Sequence, residues 1–380
     1  MISIDGAYGE GGGQVLRTSL TLAILTGQPV KIERIRAGRP KPGLAAQHLT
    51  AVRAAAAICD ASLDGDEMGS GQLSFAPAGP ARPGEYRFDV GEMRQGGSAG
   101  SVSLVLQTLL LPLALAPAPS QVTLRGGTHV AWSPPFPYLE EVYLWTLARC
   151  GLRVELALNQ WGFYPAGGGE IVARIGGGAS ALRPVSLAER GAPRRVWGTA
   201  AVSNLPSHIP QRMADRARNL LAGAGLKANV QARRVRANGP GAGIFVLAEY
   251  EGDVRAGFTA YGRKGLPSEQ VAEMACEDLL DFHNSGGAVD MYLADQLILP
   301  LAIAGGPSTF VTHQVTRHLR TNMWVVEQFG LARFTVAGRT VEVIPQGRVE
   351  PLGYQAFSGV SETPVPQGDL QRGANRGQAK

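Results

Sequence analysis

Apolar residues take up helical spacing directly after a cluster of glycines. Leu16, Leu20, Ala23 and Ile24 predict a helix that begins just past Gly13. The most apolar stretch, Leu104 to Pro117, contains Gln107 and Pro112; it is too short to span a bilayer and predicts a buried helix. That stretch has echoes. Gln107-Thr108-Leu109-Leu110-Leu111-Pro112-Leu113-Ala114-Leu115-Ala116 matches Gln296-Leu297-Ile298-Leu299-Pro300-Leu301-Ala302-Ile303-Ala304 closely, and Thr21 to Gly27 is a weaker third copy. Each run follows a turn containing Gly or Asp, which points to three copies of one α/β unit. The alternative is chance agreement of common residues. Strands are predicted where apolar residues alternate: Val154, Leu156 and Leu158, and Tyr86 and Phe88. Phe334 and Val336 with Val341 and Val343 flank Ala337-Gly338-Arg339 and predict a hairpin.

The pattern changes between about Arg183 and Met274. Pro184 and Gly191-Ala192-Pro193-Arg194-Arg195 read as an entry linker. A helix is expected over Ile209 to Leu221, then strands around Val230 and over Ile244 to Glu249. A second helix follows with Val271, Ala275 and Leu279 on one face, capped by Ser268. The expected organisation is a discontinuous large domain, 1–183 and 275–356, interrupted by a small α/β domain, 184–274. The segment 357–380, rich in Gly, Pro, Gln and Ser, is expected to be a disordered tail.

Composition narrows the class. The chain has 380 residues, of which 44% are hydrophobic, enough for a sizeable core. Its 50 glycines, without a collagen-like period, suit tight turns and close backbone approach to a ligand. A net charge of +5 permits a nucleotide or RNA partner. Arg212, Arg216 and Arg218 fall on one predicted helix and Arg233, Arg234 and Arg236 in the small domain, although a solvated face is the commoner reason for such clusters. The three cysteines (Cys59, Cys150, Cys276) are scattered and form neither a disulfide framework nor a zinc motif. The first residues, with Asp5 and Glu10, do not read as a secretory signal, so a cytoplasmic protein without membrane contact is expected.

Two segments carry candidate chemistry. Asp5-Gly6-Ala7-Tyr8-Gly9-Glu10-Gly11-Gly12-Gly13-Gln14-Val15-Leu16-Arg17 joins a glycine loop to a helix start. Unpaired N–H groups and a partial positive charge at a helix N-terminus suit a phosphate, and Arg17 lies one turn in. Glu10 would repel phosphate, unless it meets a divalent cation that binds phosphate oxygens. The plain reading is a strand-to-helix turn. The loop is neither a Walker A sequence nor G-x-G-x-x-G. The second segment, His318-Leu319-Arg320-Thr321-Asn322, offers an imidazole nucleophile. On residue type alone His48, His129, His208, His283 and His313 compete with it.

These segments, with Ile35-Arg36-Ala37-Gly38-Arg39-Pro40-Lys41-Pro42-Gly43-Leu44, Tyr164-Pro165-Ala166-Gly167-Gly168-Gly169-Glu170 and Tyr292-Leu293-Ala294-Asp295-Gln296, resemble the RNA 3′-terminal phosphate cyclase family. The matches run in order from about Met1 to about Glu342. The resemblance implies an α/β (α+β) fold: a large domain of three repeats, each two helices on a four-stranded sheet, with a smaller inserted α/β domain. It implies ATP and Mg2+ or Mn2+ as cofactors and RNA with a 3′-phosphate as partner. It implies His318 as the nucleophile that carries AMP, then RNA-(3′)pp(5′)A, then a 2′,3′-cyclic phosphate. Arg17, Arg36 and Arg39 are candidates to neutralise phosphate charge as pyrophosphate departs, since a guanidinium grips phosphate with two hydrogen bonds, and Gln47 matches a polar position of the family's site. Gln107 and Tyr292, Leu293, Ala294, Asp295 and Gln296 match its nucleotide-binding positions, with Tyr292 a candidate to stack on adenine. Glu10 is the expected metal contact, and Thr321 and Asn322 are expected to orient the ring or bind phosphate. The segment Arg233 to Gly243 matches the family poorly. Two other readings remain: a non-catalytic relative acting as a scaffold in RNA or ribosome biogenesis, and an adenylyltransferase acting on other phosphorylated nucleic-acid ends.

Overall fold

One order of elements, strand–helix–strand–helix–strand–strand, occurs three times in the computed structural model, which describes residues 1–93, 98–179 and 181–347. The first unit comprises β1 (Ile2–Asp5), α1 (Gly13–Thr26), β2 (Val30–Glu33), α2 (Ala46–Cys59), β3 (Ser62–Asp64) and β4 (Leu73–Ala76). The second comprises β5 (Glu85–Asp89), α3 (Val102–Leu115), β6 (Ser120–Gly126), a continuous helical segment, β7 (Val154–Gln160) and β8 (Gly169–Ile175). That segment is α4 (Phe136–Tyr138), a π-helical stretch (Leu139–Leu144) and α5 (Trp145–Arg149). The third unit opens with the two-residue β9 (Ser186–Leu187). The chain then leaves it for β10 (Pro193–Ser203), α6 (His208–Gly223), β11 (Ala228–Arg234), β12 (Gly241–Tyr250), β13 (Val254–Tyr261) and α7 (Ser268–Ser285). It returns as α8 (Met291–Ala302), β14 (Ser308–Val311), α9 (Arg317–Gln328), β15 (Ala332–Ala337) and β16 (Thr340–Pro345).

Sheet pairing makes the repetition quantitative. The three sheets run β1-β2-β4-β3, β5-β6-β8-β7 and β9-β14-β16-β15. In each, the first two strands are parallel and the remaining pairs antiparallel. The three expected buried helices are α1, α3 and α8, the first helix of each unit, and they share one core with α2 and α9. Pro112 and Pro300 sit near the ends of α3 and α8. Proline lacks the N–H of the helical ladder, and each helix ends within a turn of it. The expected hairpin is β15–β16, with Ala337 opposite Thr340.

The inserted element has a different order, β11-β10-β12-β13. One face of this sheet (Val196, Ala200, Val202, Ile244, Val246, Ala248) packs under α6 and α7 in a second core. Phe245 and Leu247, on the other face, belong to the first core. Helix α7 runs straight across the expected boundary at 274/275. Its Ala275, Cys276, Leu279 and Phe282 are buried in the second core, which extends to Ala288. Ser268 opens α7 but makes no capping hydrogen bond; the cap position is Pro267. The expected tail, 357–380, lies outside the described residues. Among the described residues no helix is long and apolar enough to cross a membrane.

Helix α8 is held at its start by a buried acid. Asp290 Oδ1 accepts from the Tyr292 and Leu293 amides, each at 2.9 Å, and from the Tyr138 hydroxyl at 2.8 Å. Burial raises the Asp290 pKa from 3.8 to about 6, against those hydrogen bonds. The folded chain therefore binds a proton between these values that the unfolded chain does not, and the charge of Asp290 costs stability above pH 6. As pH falls from 7 to 5, the native protein should gain about 1 kcal/mol of unfolding free energy relative to Asp290→Asn. Denaturant titrations of both proteins at the two pH values test this; parallel changes would refute it.

Candidate active site

The glycine loop between β1 and α1 is folded by short-range contacts. Asp5 Oδ1 accepts from the Ala7 amide at 2.9 Å, Tyr8 N donates to Asp5 O at 3.1 Å and Gly11 N to Tyr8 O at 2.9 Å. The loop is then fastened to α9, more than 300 residues later. The Tyr8 ring stacks on Trp324 at 3.9 Å, and the Glu10 amide donates to Thr321 Oγ1 at 3.3 Å. Gly9 has φ +60°, and a Cβ there would lie 2.3 Å from Thr321 Oγ1, so both conformation and space require glycine. A Cβ on Gly13 would lie 2.3 Å from His48 Nε2. The α1 N-cap is Gly12, with no side chain to satisfy the first-turn N–H groups. That leaves the helix start available to an anion.

His318, in the first turn of α9, stands over this helix start and is half-exposed. Its Nδ1 is 2.7 Å from Gln14 Oε1, lies against the Glu10 carboxylate, and is 3.9 Å from Asp295 Oδ2. Gln14 also lies beside the Asp295 carboxylate and favours its charge. Its amide oxygen faces the ring. With acceptors facing Nδ1, the proton belongs there and the Nε2 lone pair is free. Partial burial lowers the His318 pKa below 6.5, opposed by Asp295 and helped by Arg17 and Arg39. Burial raises Asp295, against His318, Arg17 and Gln14.

Two cations, Arg17 and Arg39, act on the ring. Arg17 stays charged at neutral pH although burial, opposed by Asp295, lowers it to about 10. Arg39 pairs with Glu10, and Arg36 donates to Gly43 O at 2.7 Å. His48 is buried; burial and the charges of Arg17 and Arg36 lower it to about 3, so it is neutral. Gln47 Oε1 accepts from the Ser101 amide at 3.0 Å, which ties α2 to the start of α3. Gln107 Nε2 donates to Gln296 Oε1 at 2.6 Å, and Gln296 to Tyr292 O at 2.6 Å. Tyr292 is exposed, with its ring edge-on to Tyr138 at 6.4 Å. Leu293 and Ala294 instead turn into the core, so their side chains offer nothing to a ligand.

Thr321 and Asn322 do not meet the ring. Both are buried. Thr321 holds the glycine loop, while Asn322 accepts from Thr18 Oγ1 at 2.6 Å and donates to Asp295 O at 2.7 Å. His313, the nearest rival in sequence, sits edge-on to Phe282 at 5.7 Å. Gln14 was not singled out in the sequence. It stands within the glycine motif, but 304 residues separate it from the ring it holds.

The sequence model of the RNA 3′-terminal phosphate cyclase family matches residues 8–336. The chain belongs to that family. Three relatives named RNA 3′-terminal phosphate cyclase show the extent of the likeness. The one from Trichormus variabilis is 56% identical over 336 residues, 88% of this chain and 96% of its own length. That from Methylococcus capsulatus is 54% identical over 336 residues, 88% of this chain and 93% of its own. That from Pyrobaculum neutrophilum is 41% identical over 354 residues, 93% of this chain and 99% of its own. The three-unit fold and the order of the motifs are those the family resemblance implies.

Asn322 joins α9 to α1 and α8, so Asn322→Ala strands two buried groups, Thr18 Oγ1 and Asp295 O. It should lower unfolding free energy by about 1–3 kcal/mol. Chemical denaturation measures this; an unchanged midpoint would mean that the two bonds do not form.

Proposed function

We propose that the chain uses ATP to convert the 3′-terminal phosphate of RNA to a 2′,3′-cyclic phosphate, with His318 carrying AMP. The observation that supports this most is the His318 ring held through Nδ1 by Gln14 and Glu10, with Nε2 left free above the α1 N-terminus. In the first step Nε2 attacks the α-phosphorus of ATP. A P–N bond forms, the bond to the bridging oxygen breaks and pyrophosphate leaves. The charge that develops is met by Arg17, Arg39 and the α1 N–H groups, positioned before reaction. In the second step an oxygen of the RNA 3′-phosphate attacks the same phosphorus. The P–N bond breaks, giving RNA-(3′)pp(5′)A and returning the electron pair to His318. In the third the 2′-oxygen attacks the RNA phosphorus, AMP departs, and the hydroxyl proton is lost. Storing AMP on a side chain divides one difficult displacement into easier ones.

Tyr292 is suited to stack on adenine, and Gln107 and Gln296 to meet its polar edge or the ribose. Asp295 is better explained as the holder of Gln14. Among the described residues no group of three or more His, Cys, Asp or Glu is arranged to hold a metal. The Glu10 carboxylate lies between His318 Nδ1, on its Oε2, and Arg39, on its Oε1. One carboxylate plus substrate phosphate oxygens suits a hydrated Mg2+ or Mn2+. Such an ion, when bound, would offset phosphate charge.

Incubation with α-labelled ATP and magnesium tests the reading. We expect an acid-labile, alkali-stable label on the chain that 3′-phosphorylated RNA discharges. His318→Ala should abolish the label with the fold intact, and His313→Ala should retain it; loss of label in His313→Ala alone would overturn the assignment. Glu10→Ala should reduce the dependence of labelling on magnesium while leaving nucleotide binding measurable. An unchanged magnesium titration would remove Glu10 from the metal role.

A further inference from the structure

The arginines of the inserted element fall into two sets. Arg212 pairs with Glu269 at 2.7 Å, Arg216 with Glu273 at 2.7 Å, and Arg218 with Asp215. At one end of the sheet Arg194 pairs with Asp253 at 3.5 Å and Arg195 with Glu249 at 3.4 Å. Among the described residues, Arg233, Arg234 and Arg236 are exposed and have no carboxylate partner, and the same holds for Arg263 and Lys264. Of the two basic clusters visible in the sequence, one is neutralised within the fold and the other is not.

The unpaired cations share the opposite end of the sheet. Val202 of β10 lies opposite Arg234 of β11 and Ala242 of β12, and Gly243 lies opposite Tyr261 of β13. The loop with Arg263 and Lys264 leaves β13 at this end. Three strand spacings, about 14 Å, separate the two groups of cations along it. This end also packs against the second unit. Trp161 bridges to Ala237, Gln160 Nε2 donates to Asn238 Oδ1 at 2.8 Å, and a Cβ on Gly241 would lie 2.1 Å from Phe163. The loop after Phe163 abuts the start of α3: a Cβ on Gly167 would lie 2.7 Å from Ser98 O, and one on Gly100 2.9 Å from the Gln47 Cβ. Packing is therefore continuous from Gln47 to the unpaired arginines. Two bare aromatic rings flank the way. Tyr164 is 75% exposed and Trp132 99% exposed. Trp132 has φ +63°, a conformation costly for a bulky residue. Its loop is bonded to Gly162 O through the Thr128 and His129 amides, each at 3.0 Å.

We propose that the RNA strand leading to the terminal phosphate lies along this track, its bases stacking on Trp132 and Tyr164 and its phosphates held by Arg233, Arg234 and Arg236. Unpaired cations with interleaved exposed aromatics, and no base-reading module, make a groove for single-stranded RNA without sequence preference. The inserted domain thereby reads the body of the RNA while the three-unit domain reads its end. The inference rests on the reading that the substrate is 3′-phosphorylated RNA.

The test compares the native chain with the triple variant Arg233→Gln, Arg234→Gln, Arg236→Gln. Binding is followed by fluorescence anisotropy of labelled 3′-phosphorylated RNA of about 12 nucleotides and of a dinucleotide, at several salt concentrations. The variant should bind the longer RNA about tenfold or more weakly, with its salt slope smaller by about 2, since each single-strand phosphate contact contributes about 0.7. Dinucleotide binding and labelling by ATP should be unchanged. Arg212→Gln with Arg216→Gln should leave RNA binding at the native level. The longer RNA should quench tryptophan emission in the native chain and less so in Trp132→Leu. Equal affinity of native and triple variant for the longer RNA overturns the track, as does an equal loss for the dinucleotide. Absence of label on the native chain with ATP would count against the proposed function instead, and the binding comparison still decides the track.

Discussion

The arrangement around the His318 ring depends on Gln14, whose Oε1 meets Nδ1 at 2.7 Å and whose side chain lies beside the Asp295 carboxylate. The three residues come from α9, α1 and α8, elements from opposite ends of the chain. A glutamine amide is suited to this position because its two ends differ. The oxygen accepts from the ring and fixes its proton, while the amino end can face a carboxylate. Asn322 repeats the arrangement one turn deeper, bonded to Thr18 and to the Asp295 backbone. The two amides tie α1, α8 and α9 together around the His318 ring.

The threefold architecture explains why such a site can be built from distant segments. Each unit alone is a small sheet with two helices, too small to bury both faces of its helices. Helix α1 packs on α2, α3 and α9, and α9 on α8; this closes a common core and brings the beginnings of α1, α2 and α9 together. The loop before α1 carries the glycines, and the first turns of α2 and α9 carry Gln47 and His318. The rigid parts are the repeats; the chemistry lies where they meet.

Much of this was legible in the sequence because the signals were local. The near-identity of the segments starting at Gln107 and Gln296 revealed the repeat, and helical spacing after Gly13 placed α1 at its observed start. Alternation at Phe334 to Val343 gave the hairpin. Where contacts are long-range, the pattern failed. The helix with Val271, Ala275 and Leu279 spans the expected end of the insert; its far half is buried in the same second core, which also holds Ala288. Thr321 and Asn322 share a helix with His318, which suggested ring contacts; burial turns both toward structure. Leu293 and Ala294 stand inside a matching motif, yet point into the core. The sequence cannot distinguish an arginine facing a carboxylate from one facing water, which is why two basic clusters looked equivalent until their partners were seen.

The central claim is that Gln14 and Glu10 hold the His318 proton on Nδ1 and leave Nε2 free. Nitrogen-15 NMR of the histidine side chains at neutral pH, with His318 assigned by its absence in His318→Gln, reads the tautomer directly. The account predicts a neutral ring protonated at Nδ1, shifting toward a tautomer mixture in Gln14→Leu. A ring protonated at Nε2 in the native chain would contradict it, because the lone pair required for attack on phosphorus would then face Gln14 instead of the substrate.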